Sequence, residues 1–372
     1  MPAPHRILVA LGTRPEVIKL APLVRALRER SGPFEVVVCA TAQHRQMLDQ
    51  ALEVFDLRPD VDLNLMEPGQ DVSDLTARVL LAMRQVLLER APDLVVVQGD
   101  TTTAFAVALA AFYARRKVAH VEAGLRSGDK FQPFPEEMNR VMASALTDFH
   151  FAPTAGARDN LLKAGHPAER ILLTGNTVID ALYQALPRAR ALQGVAGLRL
   201  DPARRLVLVT GHRRESFGPG IEAICAALRE LATARPDVEI VYPVHLNPQV
   251  RGPVHERLSG LERLHLIEPQ PYLPFLWLMD RAHLLLTDSG GVQEEGPALG
   301  KPVLVMREVT ERPEAVAAGA ALLVGTDRER IVSSVVRLLD DAEHYRRMST
   351  AGSPYGDGRA SQRIAEFLEK QL

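Results

Sequence analysis

The sequence contains little cysteine and no long apolar run. Its two cysteines, Cys39 and Cys225, lie far apart in a strand-like and a helix-like segment of a 372-residue chain. We therefore expect no disulfide framework, and we expect the protein to reside in a reducing compartment. No segment approaches the roughly 18 apolar residues that a membrane helix needs, and Arg14 ends the first apolar stretch too early for a signal peptide. We therefore expect a soluble cytoplasmic protein without a membrane partner.

The sequence also lacks an excess of charge of either sign. Its formal net charge is −2, with 24% charged and 47% hydrophobic residues. This composition is ordinary for a globular protein, and the balanced charge argues against nucleic acid as a partner. The length is comfortable for two domains.

Apolar runs alternate with helical patterns along most of the chain, and polar residues follow the runs. This alternation predicts the α/β class with open parallel sheets, in which ligands bind beyond the carboxyl ends of the strands. A second series of strands starts at Arg205, so we predict two Rossmann-like domains facing across a cleft. The predicted domains are residues 1–172 together with a C-terminal helix at about 355–372, and residues 173–354.

The segment Leu284–Val316 has the pattern strand, turn, helix, strand. Its turn contains Ser289, Gly290 and Gly291, so backbone N–H groups at the helix start can approach a phosphate closely. Glu294 and Glu295 follow a turn or two later, within reach of ribose hydroxyls. Alternatively, the turn is an ordinary feature, since doubly wound domains commonly have glycine-rich βα turns.

Three carboxylates of the first half, Asp100, Glu122 and Glu136, lie at or just after predicted strand ends. A carboxylate that ends a buried strand is costly unless it is paired or functional. Structural alternatives exist for two of them, since Asp100 can cap the following helix and Glu136 can be an N-terminal helix charge. Glu122 is the least easily explained by structure alone.

Several cations also follow predicted strands. The segment His212–Arg214 is predicted to open a helix, and Arg14 precedes one, with Lys19 a turn further on. Cations at a helix N-terminus oppose the helix dipole, so their repetition favours a bound anion. A surface role explains any one of them singly, but together they predict one anionic ligand contacted by both halves. The predicted set is Arg14, Lys19, His212, Arg213, Arg214 and Arg312.

Three common signatures are missing. No Cys/His cluster has zinc spacing, the first βα turn has no Gly-x-Gly-x-x-Gly, and no Gly-x-Ser-x-Gly occurs. We therefore expect no metal, no nicotinamide cofactor and no serine-hydrolase chemistry.

The chain resembles the non-hydrolysing UDP-N-acetylglucosamine 2-epimerase family in motifs that run nearly from end to end and in family order. The matching segments are GTRPEVIKLAP (12–22), QGDTTT (98–103), HVEAGLRS (120–127), PFPEEMNR (133–140), GNTVID (175–180), TGHRRE (210–215), YPVHLNP (242–248), TDSGGVQEE (287–295), TERPEA (310–315) and YGDG (355–358).

The resemblance implies a glycosyltransferase-B type fold, a homodimer, and interconversion of UDP-GlcNAc and UDP-ManNAc without metal or nicotinamide. The family's reaction eliminates UDP to give a 2-acetamidoglucal and then adds UDP back, which implies a closed cleft and hinge motion. The implied catalytic residues are Asp100, Glu122, Glu136 and His212, and which carboxylate removes the C2 proton stays open. The implied UDP- and sugar-binding residues are Arg14, Lys19, Ser289, Gly290, Gly291, Glu295 and Arg312.

Family members that are activated by their own substrate have a second UDP-GlcNAc site. Residues at matching places here are Gln43, Gln46, Gln70, Arg213 and His245. Position 69 departs from that pattern, because it is Gly where the regulated enzymes typically have Arg. We therefore expect a second site that is weaker.

Three rival functions remain at this point. A hydrolysing relative would release ManNAc and UDP, a glycosyltransferase of the same fold would need an acceptor, and a UDP-sugar sensor would catalyse nothing. The sequence leaves open which envelope polymer the product would feed and which sugar substituents are accepted.

Overall fold

The computed structural model describes residues 3–30, 32–41, 45–67 and 69–372, without the side chains of residues 45–47. The chain divides into unit 1, Met1–Gln184 with Tyr355–Leu372, and unit 2, Ala185–Pro354. The boundary predicted after residue 172 falls inside a strand, whereas the structural division falls inside a helix. Both units are α/β with a parallel sheet, which confirms the predicted fold class. The cleft stays a prediction.

Unit 1 contains a seven-stranded parallel sheet in the order β3-β2-β1-β4-β5-β6-β7. The strand order reverses between β1 and β4, and such a switch point is where doubly wound sheets bind ligands. The strands are β1 (His5–Leu11), β2 (Phe34–Ala40), β3 (Val61–Asp62), β4 (Leu94–Gln98), β5 (Lys117–Val121), β6 (Phe149–Ala152) and β7 (Ile171–Leu173).

The helices of unit 1 begin at clear capping signals. Thr13 and Glu16 form a capping box at the first helix, and Asp71 and Asp74 form one at the third. The helices are α1 (Arg14–Arg28), α2 (Arg45–Val54), α3 (Val72–Arg90), α4 (Thr102–Tyr113), α5 (Glu136–Leu146), α6 (Ala155–Lys163), α7 (Thr177–Arg190) and, after unit 2, α15 (Ala360–Gln371). Helix α7 contains the division between the units.

Unit 2 repeats this architecture with six parallel strands in the order β10-β9-β8-β11-β12-β13. The strands are β8 (Arg205–Thr210), β9 (Val238–Pro243), β10 (Leu264–Ile267), β11 (Leu284–Thr287), β12 (Val303–Val305) and β13 (Ala321–Leu323). The helices are α8 (Pro219–Ala234), α9 (Pro248–Leu258), α10 (Tyr272–Arg281), α11 (Gly290–Ala298), α12 (Pro313–Ala317), α13 (Arg328–Asp340) and α14 (Ala342–Ser349). Its switch point lies between β8 and β11.

The strand register brings the predicted polar residues to common edges. Gln98 of β4 pairs with Val121 of β5, so the residues that follow these strands emerge side by side. In unit 2, Thr210 of β8 pairs with Thr287 of β11. All four strands are largely buried apolar runs, because both faces of a parallel sheet are covered by helices. Within the described residues, no helix is long and apolar enough to cross a membrane.

Gly124 lies where the chain leaves β5 and passes closely over α6. Its φ is +92°, and an added Cβ would lie 2.2 Å from the carbonyl oxygen of Ala157. We expect Gly124→Ala to lower the free energy of unfolding by about 2 kcal/mol or more, since the clash adds to the strain of left-handed backbone. Urea denaturation followed by circular dichroism would measure this change.

Gly128→Ala is the matched control. Gly128 has a similar φ of +81°, but nothing lies within 4 Å of an added Cβ. Its substitution should cost only the backbone strain, about 1 kcal/mol. Equal losses in the two variants would contradict the steric role of Gly124.

Candidate active site

A buried carboxylate joins the two loops at the switch point of unit 1. Glu16 Oε2 accepts hydrogen bonds from the N–H groups of Gly12 (3.0 Å) and Thr13 (2.7 Å), and Oε1 accepts one from Thr101 Oγ1 (2.7 Å). Burial raises the pKa of Glu16, and these donors only partly oppose it. Glu16 therefore both caps α1 and ties the β1–α1 loop to Thr101, the residue after Asp100.

Glu122 is held at the end of β5 by donors from three other elements. Lys19 Nζ lies 2.5 Å from Oε2, Gln98 Nε2 donates to the same oxygen, and Asn176 Nδ2 donates to Oε1 at 3.4 Å. The Glu122 side chain is only 4% exposed, and its φ of +62° lies in the left-handed region. A non-glycine residue in that region costs energy, and such strain concentrates at functional sites.

Lys19 was predicted from the sequence to help bind an anionic ligand, and this stays a prediction; in the structure Lys19 is paired with Glu122. The sequence missed Gln98 and Asn176, although both lie inside the quoted motifs QGDTTT and GNTVID. The contacts of Lys19, Gln98 and Asn176 with Glu122 join residues that lie 24 to 103 positions apart in the sequence. Such contacts leave no local sequence pattern from which they could be predicted.

Asp100 follows the neighbouring strand β4 and is partly open to solvent, with a side chain 34% exposed. Arg140 Nη2 donates to Asp100 Oδ2 at 2.5 Å, and Asn139 Nδ2 donates to the Asp100 carbonyl at 3.0 Å. Arg140 also lies 3.5 Å from the buried Glu137, so α5 fixes the position of this carboxylate. Glu136 is the first, half-buried residue of the same helix. Asp100, Glu122 and Glu136 therefore all belong to one unit.

His212 lies at the switch point of unit 2, beside a buried carboxylate. Asp288 Oδ2 accepts the N–H groups of His212 (2.7 Å) and Arg213 (2.8 Å), and His212 Nδ1 lies 3.2 Å from Oδ1. Burial acts to raise the pKa of Asp288, but His212 and the backbone donors outweigh it and hold the pKa below its usual value. The His212 ring also stacks on His245 at 5.5 Å.

The predicted helix start at His212–Arg214 is wrong. Only a three-residue 3₁₀ turn, Arg214–Ser216, follows, and α8 begins at Pro219 because Gly218 adopts a φ of +71° first. These three residues therefore do not open a helix of their own. For His212, the nearby negative charge is the Asp288 carboxylate.

The N-terminus of α11 carries the glycine-rich turn. Ser289 is the N-cap and provides no side-chain cap for this helix. An added Cβ at Gly290 would lie 3.8 Å from Arg312 Nη2 and 3.9 Å from Arg213 Nη2, so both guanidiniums flank the helix start. Backbone N–H groups and two cations make this position suitable for a phosphate group.

Two adjacent glutamates of α11 differ in their contacts. Glu294 is 1% exposed and accepts a hydrogen bond from Arg312 Nε, which holds the guanidinium near Gly290. Glu295 Oε1 accepts from the Tyr272 hydroxyl at 3.1 Å. Burial, together with Glu295, raises the pKa of Tyr272 well above its usual value, so the phenol stays a donor. Glu294 thus supports the anion site, while Glu295 is the candidate for a ribose contact.

The residues predicted for a second nucleotide-sugar site are only partly described. Gln43 lies outside the described residues, and Gln46 belongs to α2 without a described side chain. Gln70 Oε1 accepts the N–H of Glu67 at 2.7 Å. The neighbouring Gly69 has a φ of +78°, which disfavours any other residue there.

Of the other predicted site residues, Arg14 is the first residue of α1 and is half-buried, while Arg214 is exposed. Among the described residues, no group of three or more His, Cys, Asp or Glu side chains could hold a metal ion.

Three histidines of unit 1 lie close together. His120 pairs in register with His150, whose ring lies 4.4 Å from that of His166. Burial lowers the pKa of His120 to about 4 and that of His150 to about 3, and their neighbours' positive charges contribute. His120 Nε2–H donates to the Gly99 carbonyl oxygen at 2.7 Å, whereas neither His150 ring nitrogen has a hydrogen-bond partner in the described structure.

One parallel-sheet unit carries carboxylates at its switch point. The other carries a glycine-rich helix start that has no side-chain cap and lies between guanidiniums. Together these features define a nucleotide-sugar-processing protein. A family model described as UDP-N-acetylglucosamine 2-epimerase matches residues 25–369. The UDP-N-acetylglucosamine 2-epimerases of Salmonella typhimurium and Escherichia coli are 55% and 54% identical over 370 residues, 98% of each chain. The chain belongs to the UDP-N-acetylglucosamine 2-epimerase family.

Solved structures agree with this assignment. The UDP-GlcNAc 2-epimerase from Neisseria meningitidis bound to UDP-GlcNAc matches with a TM-score of 0.92 at 46% identity, covering 98% of this chain and 100% of that one. The enzyme from Methanocaldococcus jannaschii in complex with UDP-GlcNAc and UDP matches with a TM-score of 0.83 at 35% identity, covering 98% and 99%.

The buried His150 makes stability depend on pH. Its pKa is lowered to about 3 in the folded state, so between about pH 6.5 and pH 3 the unfolded chain binds a proton that the folded chain does not. Stability is therefore lost as pH falls through this window. We expect wild type to lose about 1–2 kcal/mol more than His150→Phe between pH 7 and pH 5. Urea titrations at both pH values measure this, and parallel losses would contradict it.

Proposed function

We propose that the protein interconverts UDP-GlcNAc and UDP-ManNAc by eliminating and re-adding UDP. The observation that carries the proposal is Glu122, a nearly buried carboxylate in strained backbone, held by Lys19, Gln98 and Asn176 beside Asp100. Family membership and the relatives that bind UDP-GlcNAc and UDP support the substrate.

The chemistry explains why carboxylates and an anion site are both needed. The C2 proton of the sugar is not acidic, because no carbonyl is adjacent to C2. A base therefore takes this proton as the C1–O bond breaks, and UDP leaves with the electron pair of that bond. The C1=C2 double bond of 2-acetamidoglucal results. In the reverse step UDP attacks C1 while an acid protonates the other face of C2. Acid/base groups near both faces are required.

Unit 1 would supply the acid/base and sugar-orienting groups, namely Asp100, Glu122 and Glu136. In the free protein Glu122 is paired with Lys19 and Asp100 with Arg140. Which of the three removes the C2 proton is left open by the proposal. Lys19, in the predicted binding set, would also balance the charge of Glu122.

Unit 2 would bind UDP and stabilise its departure. The N–H groups after Ser289, at Gly290 and Gly291, would receive a phosphate together with Arg312, and Glu295 would contact the ribose. His212 would act near the leaving group, oriented by Asp288. Arg14 completes the predicted binding set from the start of α1.

The homodimer stays a prediction. Large apolar side chains are exposed on α3 and α4, which pack against each other, and these offer a surface for a second copy of the chain. They are Leu81, Leu88, Phe112 and Tyr113.

NMR of UDP-GlcNAc in deuterated water tests the reaction directly. We expect an equilibrium mixture of two UDP-sugars with deuterium at C2, without added metal or nicotinamide. Free ManNAc would instead show that the protein hydrolyses UDP-GlcNAc. A spectrum without deuterium exchange at C2 would indicate a binding protein or a transferase.

Glu122→Gln tests the carboxylate in the same assay. The amide cannot exchange a proton with C2, so we expect kcat to fall about 100-fold or more. Glu169→Gln, an exposed glutamate of the same unit, should leave kcat unchanged. Normal turnover by Glu122→Gln would exclude an acid/base role for Glu122.

We further propose that UDP-GlcNAc activates the enzyme weakly through the second site. The rate against UDP-ManNAc concentration should be sigmoidal, and small additions of UDP-GlcNAc should raise it, because a second ligand would favour the active state. Initial-rate measurements in the reverse direction report this. If the reaction reaches its full initial rate on UDP-ManNAc alone, activation through a second site is contradicted.

A further inference from the structure

We propose that Asn176 is a positioning residue that couples Glu122 to the segment by which the chain returns to unit 1. The inference rests on the proposed function, because it takes Glu122 to be an acid/base group. In the proposed function Asn176 is one of three donors that hold Glu122, without a link to the returning chain. It lies immediately before α7 and is 2% exposed.

The side-chain amide of Asn176 has one orientation that satisfies both of its neighbours. Its Oδ1 accepts the N–H of Val178 at 3.2 Å, which directs Nδ2 toward Glu122 Oε1 at 3.4 Å. A flipped amide would place an oxygen against the carboxylate and an NH₂ against a donor. The backbone turn at Val178 therefore fixes a donor on Glu122 Oε1, while Lys19 Nζ lies 2.5 Å from Oε2.

The backbone of Asn176 is fixed to the returning chain. Its N–H donates to the carbonyl of Tyr355 at 2.6 Å, and Tyr355 is the first residue after unit 2. Gly175 and Gly356 lie against each other, since a Cβ on Gly356 would come within 3.2 Å of the Gly175 Cα. Their φ values, +83° and +127°, also require glycine.

Two further contacts hold the same pair of segments together. Arg363 donates to the Thr174 carbonyl at 2.9 Å, and the Asp180 carboxylate accepts the N–H groups of Ala360 and Ser361 at 3.2 and 2.7 Å. A shift of the returning chain would therefore move Asn176 and, through it, the donor on Glu122. The position of the Glu122 carboxylate thus depends on a segment that contains none of the proposed catalytic residues.

Steady-state kinetics of three variants tests this role. Asn176→Ala removes the donor, and we expect kcat to fall about 10-fold or more with KM changed less than about threefold, since a donor to a charged acceptor is lost. Asn176→Asp keeps the shape and the Val178 contact but places a second carboxylate beside Glu122. We expect it to move the acidic limb of the kcat–pH profile up by about one pH unit.

Thr177→Val is the matched control. Thr177 is equally buried on the same segment, and its hydroxyl has no hydrogen-bond partner in the described structure. This variant should keep the wild-type kcat and pH profile. If Asn176→Ala and Asn176→Asp behave like Thr177→Val while wild type epimerises, the inference is overturned. A wild type without epimerisation or C2 exchange would instead overturn the proposed function.

A double-mutant cycle tests the coupling to the returning chain. Gly356→Ala should lower kcat about threefold or more by displacing the chain at Asn176, and it should have little further effect in the Asn176→Ala background. Additive losses would overturn the coupling. Should Gly356→Ala fail to fold, Arg363→Met, which releases the Thr174 carbonyl from the returning chain, takes its place in the cycle with the same expected outcomes.

Discussion

The structure of unit 1 depends on keeping one charged carboxylate inside it. An ionised Glu122 without partners would cost several kcal/mol in so enclosed a position. The protein offsets this cost with Lys19 from α1, Gln98 from β4 and Asn176 ahead of α7. Three elements must therefore be placed correctly before the carboxylate is tolerated. The same partners that permit its burial also fix its direction, which links stability to the geometry of the site.

Unit 2 also holds buried charged side chains, of both signs. Arg312 is largely buried but is paired with Glu294, and the buried Asp288 is paired with His212 and two backbone donors. A ligand phosphate at Gly290 would thus meet cations whose positions are already fixed. Such preorganisation reduces the reorganisation that binding and bond cleavage require.

The sequence predicted the sheets well, because buried parallel strands are continuous apolar runs and the turns after them carry the polar residues. The short strands β3 and β7 were not predicted. It singled out Glu122 as hard to explain, yet neither the left-handed φ nor the Lys19 contact has a local signature. The His212–Arg214 segment was misjudged for a different reason. Its partner, Asp288, comes from another strand end, and a dipole argument confined to neighbouring residues could not include it.

Unit 1 is assembled from the two ends of the chain, with α15 packed on α1. Phe367 of α15 contacts Phe149 and Phe151 at ring distances of 5.6 and 5.7 Å, and Arg30 pairs with Glu366 at 3.3 Å. Unit 2 is one uninterrupted segment between them. Because synthesis runs from the amino to the carboxyl end, all of unit 2 is translated before α15. Unit 1, which carries Glu122, can therefore form its full set of contacts only after unit 2 has been synthesised.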